Sequence, residues 1–148
     1  MKPEVSRVLE VTAMALMLDV APHVAPSYRQ SSVFAGALLL TSIREELDRI
    51  ASRRVEENRA LRALFAGAAP GIDEASLRER LARAGAEDDA DLRISALESR
   101  NAALRDLLIE LHAHVEAQES AEARRVEAAI WRELAASTQR RRLGLHAF

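Results

Sequence analysis

The chain has 148 residues, 49% of them hydrophobic and 30% charged, with a net charge of −2. That length predicts one domain, residues 1–148, with a single core, and the composition is that of a globular chain rather than a disordered one. The near-balanced charge argues against a binder of phosphate backbones, although arginine outnumbers lysine twenty to one. The lack of cysteine excludes disulfides, thiolate catalysis and thiolate metal sites.

The first helix is expected from about Pro3 to Val20. Pro3 suits a first turn, and Glu4 sits at the positive end of the helix dipole. From Val11 to Leu18 the sequence is apolar nearly all round, which predicts a helix covered on two sides. The stretch is too short to span a bilayer, and Glu4, Arg7 and Glu10 before it do not suit a signal peptide. A cytoplasmic protein with no membrane partner is expected, its N-terminus part of the fold.

Pro22 should stop helix one. Between Ala21 and Tyr28 two prolines predict a stiff, extended connector. Asp19, His23, Tyr28 and Arg29 cluster there, and loops often carry function, so a pocket at the end of the bundle is a candidate. Ser27 and Gln30 have capping-box spacing and predict the start of helix two.

Helix two meets no breaker except Gly36 until Gly67, a span of about 60 Å at 1.5 Å per residue. Such length predicts a kink at Gly36 or a projection. Its seam runs through Leu39 or Leu40, Ile43, Leu47, Ile50, Val55, Asn58, Leu61 and Leu64/Phe65. Between Ala51 and Arg59 it thins to one valine among arginines and glutamates.

A loop follows at Ala66–Gly71. Asp73 is placed as the cap of a short helix that Gly85 ends, with Ile72 and Leu77 stapling it. Glu87–Asp91 places negative charge at the start of the next helix. That helix carries a strict heptad: Ile94, Leu97, Asn101, Leu104, Leu108, Leu111, Val115 and Gln118. After Val115 the phase changes to Ala123, Val126, Ile130 and Leu134, which predicts a turn capped by Ser120 in preference to a stutter. The tail after Leu143 should fray.

Asn58 and Asn101 head two short similar stretches, so two packed helices would face their asparagines inward. An asparagine on an apolar seam fixes register or oligomer state. Replacing Asn101 with Leu is then expected to raise stability while losing a unique oligomer. Trp131, the only tryptophan, is expected in the core or an interface. A di-iron bundle needs a repeated Glu-x-x-His, which does not occur, and His112 with Glu116 makes no metal site alone.

Arg105-Asp106-Leu-Leu-Ile-Glu-Leu-His112 loosely resembles the Arg–polar–x–His signature of the HEPN ribonucleases, small all-helical dimers. Over those eight residues the resemblance implies Arg105 and His112 from two protomers meeting at a scissile phosphate.

The fold expected is an all-α, up-and-down bundle of four main helices plus one short helix, with helices two and four packed antiparallel. Surplus apolar seam predicts a homodimer through the long helices, centred near Asn58 or Asn101, along the seam of Leu97, Leu104, Leu108, Leu111 and Val115. The function expected is a non-catalytic interaction protein, needing no cofactor or metal and docking a copy of itself or another protein. The alternatives are the HEPN-like nuclease and a metal- or ligand-binding ferritin-like bundle.

Overall fold

In the computed structural model, which describes residues 4–142, the regular structure is all helical. Three long helices and two short ones form α1 (Val5–Ala15), α2 (Ser27–Ala68), α3 (Ala75–Ala86), α4 (Ile94–Glu116) and α5 (Ala121–Arg140), where four main helices and one short one were expected. The expected fraying beyond Leu143 lies outside the described residues. The chain divides into two compact units with the boundary inside α2, one reaching Ile50 and the other spanning Ala51–Arg142.

In the first unit α1 passes into a π-helical turn, Leu16–Val20, and then a 3₁₀ turn, Ala21–His23. Pro22 therefore sits at the start of a helical turn, where its missing N–H costs nothing, and the connector is extended only from Val24. The Ala25–Pro26 peptide is cis. Arg29 N bonds the Pro26 carbonyl, and Gln30 Nε2 donates to the Ala21 carbonyl at 3.0 Å, so Gln30 ties α2 to the end of the preceding turn and forms no capping box with Ser27. Arg44 reaches Glu10 at 3.7 Å. The pairings of 10 with 44 and 21 with 30 make α1 and the first half of α2 an antiparallel helical hairpin.

This hairpin has almost no core. Its buried residues are Ala13, Ala21 and Ala37. Val11, Met14 and Leu18 are at least half exposed, so the all-round apolar helix is not covered by its own unit as expected. On α2, Leu39, Ile43 and Leu47 stand 63%, 51% and 42% exposed, contrary to their placement on a packed seam. The three residues that this unit buries are all alanines, so its larger apolar side chains are left on the outside.

The second unit is well packed. Leu61 and Phe65 of α2, Leu77 and Leu81 of α3, Leu104, Leu108, Leu111 and Val115 of α4, and Val126 and Ile130 of α5 form one cluster. Each such side chain contributes about 1.5–3 kcal/mol of burial. Ala117–Ser120 separates α4 from α5, and the Ser120 hydroxyl accepts from Ala123 N at 3.0 Å, so the phase change is a capped turn. The heptad is buried from Leu97 to Val115, while Ile94 lies exposed at its start.

Three cap assignments shift. Glu74, not Asp73, precedes the first turn of α3. The acidic run ends before α4, whose N-cap position is Arg93, and Asp91 instead accepts from Arg93 N and its guanidinium. Gly85 lies within the last turn of α3 with no positive φ. It is there for proximity: a Cβ would stand 3.1 Å from Ala66 N and 3.2 Å from Ala66 Cα. Gly36 neither breaks nor ends α2.

Candidate functional site

The second unit is built around polar groups as well as apolar ones. Asn58 and Asn101 are buried, and Asn101 Nδ2 donates to Asn58 Oδ1 at 2.9 Å. Asn58 Nδ2 in turn donates to the Asp89 carboxylate at 3.1 Å, which takes a two-pronged pair from Arg62 at 2.7 and 2.9 Å. The Arg62 bond, and then that from Asn58, hold the Asp89 carboxyl below its usual range against the opposing effect of burial. Asp89, five residues before the first residue of α4, thus pins the α3–α4 loop to α2.

Beside this chain lies Glu57, which is fully buried. Arg141 grips it through Nε and Nη2 at 2.7 and 2.9 Å, Arg54 donates at 2.9 Å, and Ser137 at 3.3 Å. Burial pushes the Glu57 carboxyl up, but the bonds and charges of Arg141 and Arg54 outweigh it and bring the pKa down to about 2. A buried carboxylate of this kind persists only because it is paired on every side. Arg105 stands 3.9 Å away, giving its Nε–H to Asn101 Oδ1 and an Nη2–H to Ser137 Oγ. Burial, then the charge of Arg141, lowers the Arg105 pKa. Nearby, burial raises the Glu133 carboxyl, which pairs with Arg140.

The seam residues Asn58, Leu97, Asn101, Leu104, Leu108, Leu111 and Val115 are thus all buried within one chain. Asn101 satisfies Asn58 and Arg105 at once. This reverses the expected sign for its replacement by Leu, which would strand the buried Asn58 amide and the half-buried Arg105 guanidinium.

A cavity of about 220 Å³ opens between α4 and α5, lined by Arg105, Leu108, Ile109, His112, Ile130 and Leu134. Arg105 and His112 therefore share one face. His112 meets Trp131 edge-on, ring centres 5.3 Å apart, and its Nε2 is buried without a hydrogen-bond partner. Trp131 is 56% exposed, a lid on the histidine rather than a core residue. For phosphate cleavage this is a restrictive arrangement, since two donors of Arg105 are engaged and His112 Nε2 is shut from solvent.

The connector residues do not converge. His23 Nδ1 bonds the Asp19 backbone carbonyl at 2.9 Å rather than the carboxylate. Arg29 Nε donates to the Tyr28 hydroxyl at 3.2 Å and stacks on its ring, and Tyr28 is 65% exposed. No group of three or more His, Asp or Glu among the described residues is arranged to hold a metal. No helix among them is long and apolar enough to cross a membrane.

Glu57, Arg54, Asp89, Arg62, Ser137 and Arg141 were not foreseen as a site. The signal was present in the thinned stretch Ala51–Arg59, where the helical face continues through Glu57 and Asn58 instead of leucines. Nothing in the sequence marks Ser137, Arg141 or Asp89 as its partners, because 80, 84 and 31 residues separate them from Glu57 and Asn58. No family model, curated protein or solved structure matches the chain.

Proposed function

We propose that this chain is a non-catalytic helical protein that associates with a second copy of itself through its N-terminal hairpin. One observation carries this reading: among the described residues, twelve of the sixteen large hydrophobic side chains that stand exposed fall between Val5 and Leu47. Exposed apolar side chains concentrated in this way mark an interaction site. The polar interior of the second unit supports the same reading. Its charges are paired with one another and present no convergent, open set of acid, base and nucleophile.

The occupant is a second copy for two reasons. Leu39, Ile43 and Leu47 are spaced by four residues and form one ridge along α2. Charges of both signs flank it, Arg44 paired with Glu10 and Arg49 with Glu45, beside Glu46 and Asp48, so the near-balanced patch does not repel its own copy, as a two-fold interface requires. Replacing Leu39 and Ile43 together with Glu tests it. Both are exposed, so the variant is expected to keep its helicity by circular dichroism and to weigh about half the parent by light scattering at equal concentration. A parent and a variant of equal mass would refute the assignment.

A further inference from the structure

The α4–α5 cavity has two unlike ends and an apolar middle. Arg105 closes one end, with Nη1 outside the hydrogen bonds that engage its Nε and Nη2. His112 closes the other, its Nε2 buried and unpaired. Seven residues separate them, so the ends stand about 10 Å apart along the helix. Between them lie Leu108, Ile109, Ile130 and Leu134. Around the Arg105 end, Arg54, Arg105, Arg140 and Arg141 face three carboxylates: Glu57, gripped by Arg54 and Arg141, Glu133, paired with Arg140, and Glu98, near Arg54; this leaves one positive charge in excess.

We infer that this cavity binds a linear aliphatic carboxylate, with the head on Arg105 and the chain along Leu108, Ile109, Ile130 and Leu134 toward His112. The one free donor nitrogen suits a singly charged head held end-on better than a phosphate, which takes several donors. A volume near 220 Å³ suits a chain of medium length rather than a drug-sized or polycyclic ligand. This inference stands apart from self-association, since α4 and α5 take no part in the hairpin.

Trp131 provides the readout, being the only tryptophan and packed on the histidine that lines the cavity. Octanoate titrated into the full chain is expected to change its fluorescence saturably, with matching heat by calorimetry. Octanol, lacking the charge, should bind about tenfold more weakly, the size of one lost charge-assisted bond. Ile109→Glu is the decisive variant: Ile109 is 67% exposed, so the fold is kept while a negative charge enters the cavity mouth, and octanoate affinity should fall about tenfold or more. Arg105→Gln should lose the preference for octanoate over octanol. No saturable signal and no heat, equal affinity for octanol and octanoate, or an Ile109→Glu variant that binds like the parent would each overturn the assignment.

Discussion

Glu57 is the residue on which the second unit turns. Its carboxyl falls from an ordinary 4.5 to about 2 on folding, so the folded state prefers the charged form. The stability this brings is present in full above pH 4.5, declines as the pH falls toward 2, and amounts to about 3 kcal/mol. Glu57→Gln is therefore expected to cost about 3 kcal/mol or more in urea unfolding at pH 7, because it leaves Arg141 and Arg54 facing a neutral group. The difference from the parent should shrink steadily between pH 4.5 and 2. A constant difference across that range would mean the charge is not what matters. Asn101→Leu is expected to lower stability by about 2–4 kcal/mol, since it strands Asn58 Oδ1 and Arg105 Nε. A more stable variant would show that the two asparagines are not structurally coupled. At this scale the sequence was legible in part. Asn58 and Asn101 were recognisable as inward-facing because each falls at a seam position, Asn101 within the heptad and Asn58 three residues before Leu61. Glu57 was not, because a buried charge has the same local pattern as an exposed one until its partners arrive from elsewhere in the chain.

The helices show how one residue type serves different ends. Gly36 stands in open space on α2, where a Cβ meets nothing within 4 Å. Gly36→Ala should raise stability by up to about 1 kcal/mol through helix propensity alone. Gly85 faces the Ala66 backbone at 3.1 Å, and a helix backbone cannot give way as a flexible side chain does. Gly85→Ala should cost about 1–2 kcal/mol despite the same gain in propensity. Thermal melts of the two variants should shift in opposite directions, and a shared direction would contradict the close approach of α3 to α2. The Ser120 cap is the local cause of the break between α4 and α5, and Ser120→Ala should cost about 1 kcal/mol. Element boundaries followed from patterns that local chemistry decides: the heptad of α4, the change of phase, the serine cap. The turn before α2 and the N-cap of α3 did not, because long-range bonds such as that from Gln30 to Ala21 override the local capping signals.

Across the molecule, the contrast between the units governs the account. Residues after Ala51 enclose a dense core with paired polar groups. The hairpin before it buries alanines and leaves leucine, isoleucine, valine and methionine outside. The sequence marked Val11–Leu18 as too apolar for a helix with one wet side, but read it as covered within the fold and not as an outer face. What sequence alone could not locate was where the surplus seam lies. Leu97 to Val115 reads as an equally good candidate, and only the three-dimensional structure shows α5, α2 and α3 closing over it.

The most direct measurement is the solution mass of the full chain by light scattering across a dilution series. Self-association through the hairpin predicts a mass of twice 16.3 kDa at high concentration, falling toward the monomer only on strong dilution. A mass of 16.3 kDa at every concentration would contradict it.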